Sequence, residues 1–167
     1  IEYDSFNSCT SLNYVKISDN TTYIGGNAFG GCTSLTEITI PKSVTEIDNS
    51  AFIKCSSLSS ITIFEGLEKI GGYAFYGCTL LQNIQLPNTL QEIGEGAFFD
   101  CKALETVQLS NEHLTKISTS AFSGCTLLAE VQLPSSLKEI GTYAFNNCTL
   151  LQTIELPDTL EIIGSSA

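Results

Sequence analysis

Seven cysteines, Cys9, Cys32, Cys55, Cys78, Cys101, Cys125 and Cys148, follow one another at intervals of 23, 23, 23, 23, 24 and 23 residues. A period of that size marks a repeat array, in which one supersecondary unit recurs and packs on its neighbours. Phenylalanines keep the same register (Phe6, Phe29, Phe52, Phe75, Phe98, Phe122, Phe145), and so do leucines (Leu12, Leu35, Leu58, Leu81, Leu104, Leu128, Leu151). Aligned on these columns, the unit reads I-G-x-x-A-F-x-x-C-x-x-L-x-x-I-x-I-P-x-x-L-x-x.

Two periodicities alternate within the unit. In the second copy Ile38 and Ile40 alternate with Glu37, Thr39 and Pro41, the pattern of a short half-buried strand. Ala28, Phe29, Cys32 and Leu35 are spaced as one face of a helical turn or two. Val44 and Ile47 supply a second short extended segment, and glycine follows that isoleucine in most copies (Gly25, Gly71, Gly94, Gly141, Gly164), which predicts a tight or left-handed turn there. Asp48 and Ser118 take its place in two copies. A single unit buries too few side chains to offset its conformational entropy, so the copies must stack and pair strand with strand. The expected fold is an α/β solenoid with a seven-stranded parallel concave sheet, short second strands and helical turns on the convex side. The concave strands are expected at Tyr14 to Ile17, Glu37 to Ile40, Ser60 to Ile63, Asn83 to Leu86, Thr106 to Leu109, Glu130 to Leu133 and Thr153 to Leu156. The extra residue near His113 should be absorbed after Leu109 and leave Phe122 in the core.

The L-x-x-I-x-I segment resembles the leucine-rich-repeat signature, and the A-F-x-x-C and I-P-x-S-L/V elements resemble its BspA-like subclass. The closest copies run from Ile24 to Val44 and from Ile140 to Leu160, and the resemblance spans residues 1–167 as a single array. It implies a right-handed coil and an extracellular or cell-surface protein of adhesion or host-protein interaction. It says nothing of the ligand, because the signature consists of core residues. Departures are local: Ser5 replaces the alanine, Thr21 the leucine, and Phe64 and Ser110 the proline. The chain opens on the first position of a unit, Ile1, and closes at Ala167, which ordinarily precedes a core phenylalanine. It therefore reads as a fragment of a longer array, with ends that fray or pack against another molecule.

Composition narrows the function classes. Eighteen acidic residues face seven lysines and no arginine, a formal charge of -11, which repels nucleic acid and anionic membranes. Apolar stretches fall far short of the roughly 20 residues needed to cross a bilayer, so membrane insertion is not expected.

The cysteines, each at a repeated core position and odd in number, should be reduced and buried, with no metal or cofactor role. Replacing Cys78 by serine should cost about 1 to 3 kcal/mol if the hydroxyl finds no partner. His113, the single histidine, has only Glu112 beside it in sequence and reads as a solvated loop residue, so no catalytic constellation emerges and no enzyme is expected. Glu46, Lys69, Glu92, Lys116 and Glu139 occupy one column in consecutive copies and predict a salt-bridge ladder across strands about 4.8 Å apart.

Two surfaces can bind. The concave face carries Lys16, Thr39, Thr62, Gln85, Gln108, Gln132 and Glu155 in its central column, flanked by columns from Tyr14 to Thr153 and from Ser18 to Pro157. Its amides either bond to one another as a ladder or stand ready for a ligand, and both readings are open. The expected footprint is Thr62, Phe64, Gln85, Gln108 and Gln132, with Phe64 as an aromatic anchor. On the convex side Ile53, Tyr76 and Phe99 form an apolar column that is either a contact surface or folded down over the turns. The sequence thus points to a non-enzymatic module binding a protein or glycan, with a passive spacer as the other reading.

Overall fold

The computed structural model describes residues 1–109 and 112–167. The chain winds as a parallel β-solenoid with two strand positions per coil. The longer strands are β2 (Glu37–Ile40), β4 (Ser60–Ile63), β6 (Asn83–Gln85), β8 (Thr106–Gln108) and β10 (Glu130–Gln132). The shorter are β1 (Tyr23–Ile24), β3 (Glu46–Ile47), β5 (Lys69–Ile70), β7 (Glu92–Ile93), β9 (Lys116–Ile117), β11 (Glu139–Ile140) and β12 (Ile162–Ile163). All pairings are parallel and link equivalent residues, as in Ile38 with Ile61 or Ile47 with Ile70.

Among the described residues five long strands form, not seven. Tyr14 to Ile17 and Thr153 to Leu156 remain irregular. Both lie in outermost coils, which have a neighbour on one flank only. Leu156 is accordingly 49% exposed, whereas Leu109, its equivalent two coils earlier, is fully buried.

Helical turns on the convex side do not form either, and the described residues contain no helix. The face defined by Ala28, Phe29, Cys32 and Leu35 is fully buried as its spacing requires, but the backbone beneath it alternates between two kinds of bond. Ala28, Gly30 and Cys32 donate their N–H groups to Gly25, Asn27 and Phe29 within the coil, while Asn27, Phe29 and Gly31 donate to Asn49, Ala51 and Ile53 of the next coil. Two residues per coil make this possible by adopting left-handed backbone, for example Asn27 (φ 52°) with Gly31 (φ 70°), and Ser50 (φ 59°) with Lys54 (φ 57°). An α-helix admits neither that conformation nor the outward-turned donors.

The repeated glycine serves a purpose other than the expected turn. Gly25, Gly71, Gly94, Gly141 and Gly164 are absent from the positive-φ residues. Backbone of the preceding coil crosses over them instead: a Cβ on Gly94 would lie 2.4 Å from Gly72 N, and one on Gly141 2.6 Å from Thr119 N. These glycines set how closely the coils approach.

The core is a set of columns. Rings of Phe6, Phe29, Phe52, Phe75, Phe98, Phe122 and Phe145 stack with centroids 5.2–5.6 Å apart and planes within 7° of parallel. Phe122 keeps its place beyond the inserted residue, as expected; Ser110 and Asn111, where the insertion begins, lie outside the described residues.

All seven cysteines are free, and the five from Cys32 to Cys125 are buried. Cys9 is exposed and Cys148 half-buried, because each belongs to a coil with one flank open. Every thiol from Cys32 to Cys148 donates to the carbonyl of the phenylalanine in the preceding coil, as Cys78 Sγ does to Phe52 O at 3.3 Å. Burial raises these thiols, Cys55 to about 12 and Cys148 to about 11, so they are held as donors and not as nucleophiles. A partner within reach lowers the expected cost of Cys78→Ser to about 1 kcal/mol. Cys78→Ala, which removes the donor and leaves a void, should cost about 2 kcal/mol. Urea denaturation ranks the two variants, and the reverse order would show that the thiol contributes volume alone.

Candidate functional site

Each ladder breaks once. The short strands pair as β1-β3-β5-β7 and, past the inserted residue, as β9-β11-β12. The long strands pair as β2-β4 and β6-β8-β10, with no pairing between β4 and β6. Beside that concave seam, immediately after β4, stands Phe64, at a position where four coils have proline.

Where four coils leave the long strand through proline, Phe64 has an N–H and donates it to Ile40 O at 3.2 Å. Its ring turns outward and is 54% exposed, and Ile63 beneath it is only half-buried. Pro41, Pro87 and Pro134 are buried, so the proline column expected to flank the concave face turns inward, and Phe64 stands out from it. Gly66 (φ 131°) completes this loop against Lys42 O, too close for a Cβ, and its N–H donates to Thr89 Oγ1 at 3.0 Å. Glu65 Oε1 accepts from the N–H and Nδ2 of Asn88 at 3.2 and 3.4 Å.

Two hollows meet at Phe64. One, of about 390 Å³, lies on the seam and is lined by Thr62, Phe64, Glu65, Gln85, Asn88 and Gln108 among others. The other, of about 630 Å³, lies between Phe64 and Tyr14 and includes Lys16, Asp19, Glu37, Thr39 and Lys42. Four of the five residues expected to form the footprint thus border one hollow. Gln132 lies outside both and extends the strip by pairing with Gln108.

Among the described residues the side chains of Gln85, Gln108 and Gln132 make no hydrogen bond with one another or with other groups. The bond between long-strand side chains that does form is Thr106 Oγ1 to Asn83 Oδ1, 3.0 Å, one column away. The amides are solvated and do not form a self-bonded ladder.

The convex column is largely self-satisfied. Ile53, Tyr76 and Phe99 are each half-buried. Tyr76 packs on Phe99 with ring centroids 5.5 Å apart, and Tyr73 meets Tyr76 edge-on at 6.2 Å.

The charged column forms two of its contacts, Lys69 with Glu46 (3.1 Å) and Lys116 with Glu139 (2.8 Å). Donating a hydrogen bond to Glu46 raises the Lys69 ammonium above its ordinary value. Glu92, beside the break between β7 and β9, joins neither contact, so the ladder is two separate pairs, each worth at most about 1 kcal/mol at this exposure. One further contact has no signature in the repeat pattern: Tyr23 donates to Asp48 Oδ2 at 2.5 Å, which drives the phenol up to about 12 and the carboxyl below its usual range. Asp48 occupies a glycine position, and this bond fixes its side chain. His113 is exposed. Among the described residues no three His, Cys, Asp or Glu side chains converge on a metal-sized site, and no helix is long and apolar enough to cross a membrane.

Comparison with known proteins places this architecture. The family model for the BspA type leucine-rich repeat region matches residues 1–125 and 47–167. A leucine-rich repeat protein of T. pallidum is 36% identical over 91% of this chain and 71% of its own, with a TM-score of 0.85. A leucine-rich cell surface protein of Faecalibacterium prausnitzii A2-165 is 35% identical over 87% of this chain and 39% of its own, with a TM-score of 0.81. A leucine-rich repeat protein of Bacteroides ovatus ATCC 8483 is 26% identical over 97% of this chain and 53% of its own, with a TM-score of 0.70. A search among curated proteins found no match.

Proposed function

The chain belongs to the BspA-type leucine-rich-repeat proteins, and from that premise we propose that it is a non-enzymatic, cell-surface or secreted module that binds a protein or glycan through its concave strip. The contact residues are Thr62, Phe64, Gln85, Gln108 and Gln132. Similarity to a protein described as a cell surface protein supports the location. The observation that carries the binding reading is the coincidence, at one seam, of an exposed phenylalanine with amides that have no hydrogen-bond partner among the described residues. A buried aromatic anchor ringed by adaptable polar groups is how small regions of an interface come to dominate affinity.

The test is capture of extracellular-matrix and serum components by the immobilised protein. Replacing Phe64 and Gln108 together with alanine is expected to reduce capture by at least about tenfold, with an unchanged circular-dichroism spectrum, since both side chains point to solvent. Capture that survives this change and is lost when Tyr76 and Phe99 become serine would move the site to the convex column. A passive spacer predicts no capture that either pair of substitutions alters.

A further inference from the structure

The two hollows beside Phe64 differ in charge, and that difference selects an occupant. The hollow between Phe64 and Tyr14 sets two lysines, Lys16 and Lys42, against two carboxylates, Asp19 and Glu37, and its lining is neutral in sum. Among the described residues no cation lines the seam hollow, and its single charged side chain is Glu65. Asn88 holds Glu65 Oε1 through two hydrogen bonds, which fixes the carboxylate at the rim. Glu65 Oε2 takes no hydrogen bond among the described residues. Gln85 and Gln108 line the same hollow, and among the described residues their amides make no hydrogen bond that would hold them elsewhere.

We propose that the seam hollow receives an arginine side chain from a basic segment of a protein partner, its guanidinium lying on the Phe64 ring and donating to Glu65 Oε2 and to the amide oxygens of Gln85 and Gln108. This rests on the concave-strip reading and narrows it. A guanidinium is planar, weakly hydrated and rich in donors, so it stacks on an aromatic face while bonding to acceptors in its own plane. A lysine ammonium is a compact, strongly hydrated point charge and uses the ring less well. The hollow, about 390 Å³, takes one long side chain with some of its water. The chain has no arginine of its own to compete, and its charge of -11 draws basic segments toward it. In the neighbouring hollow the two lysines offset Asp19 and Glu37, so no net charge draws the same cation there.

The experiment titrates Nα-acetyl-arginine amide into isotope-labelled protein and follows backbone amide resonances, with the citrulline and lysine amides as controls. Saturable shifts are expected at Phe64, Glu65, Gly66 and Asn88 with a Kd of roughly 1 to 10 mM. Citrulline, which keeps the shape and loses the charge, should bind at least about tenfold more weakly, and lysine amide should fall between the two. Glu65→Gln should weaken the arginine amide about tenfold, and Phe64→Leu about threefold. The glutamine amide oxygen can still accept from Asn88, so the loop is retained, and an unchanged melting temperature verifies that.

Equal binding of arginine and citrulline amides, or indifference to Glu65→Gln, would overturn the assignment. Seam shifts elicited by N-acetylglucosamine and not by arginine amide would reassign the hollow to a glycan. If macromolecular capture is lost on the Phe64 and Gln108 replacement while arginine amide leaves the seam unmoved, the arginine assignment fails and the concave reading stands. If capture ignores that replacement, both fail.

Discussion

Phe75→Ala is expected to lower the free energy of unfolding by about 3 to 5 kcal/mol, the upper part of the range for a large buried side chain. The ring is fully buried and sandwiched between Phe52 and Phe98, with centroids 5.2 and 5.3 Å away and planes within 4°. Neither neighbour can move into the vacated space easily, because the backbone is held on both sides: Phe52 N–H donates to Ala74 O and Phe75 N–H to Ala97 O, each at 2.8 Å. Alanine would therefore leave most of the cavity open. Phe6 at the end of the same column is 40% exposed, and Phe6→Ala should cost about 1 to 2 kcal/mol by the same reasoning. Urea titrations of the two variants give the comparison, and equal losses would mean that the aromatic column does not couple the coils.

Gly94→Ala should cost about 2 to 3 kcal/mol through forced separation of backbones. The added Cβ would lie 2.4 Å from Gly72 N and 2.6 Å from Gly71 C, and main-chain atoms cannot swing aside as a flexible side chain can. Asp48 and Ser118 stand at the equivalent place in two coils, so local adjustment is attainable and the loss should not exceed this range. Gly77→Asn makes the contrast. Its position is left-handed (φ 72°), but other coils put Lys54, Asp100 and Asn147 there with φ between 57° and 61°, and a Cβ on Gly77 would meet nothing nearer than 3.6 Å. That change should cost under about 1 kcal/mol. Thermal melts order the two, and a larger loss for Gly77→Asn would contradict the crossing-backbone account.

The spacing of Phe, Cys and Leu was sufficient to identify the solenoid, its core columns and its strand register, because each column recurs often enough to be seen against noise. The convex backbone was not legible. Ala28, Phe29, Cys32 and Leu35 share a face in a helix and equally in a chain of alternating turns, and spacing alone does not separate the two. What decides is the left-handed conformation at such residues as Ser50, Lys54 and Tyr73, which carry no common chemical signature. Glycine after isoleucine misled for a related reason: the residue type reports a need for a missing Cβ, and both a left-handed turn and a crossing backbone create that need. At the concave face Phe64 was legible as a departure from the repeat. The absence of a ladder between β4 and β6 beside it was not, because the residues of these two strands follow the repeat pattern like those of the strands that pair.

The phenyl column also limits how the array can deform. Each inner ring lies between two others 5.2–5.6 Å away with planes within 7° of parallel, and the backbone that carries it is bonded coil to coil, as Phe52 N–H is to Ala74 O. Sliding one coil past the next would disturb the ring contacts and these bonds together, so neighbouring coils are held in register and present the concave strip as one stiff surface.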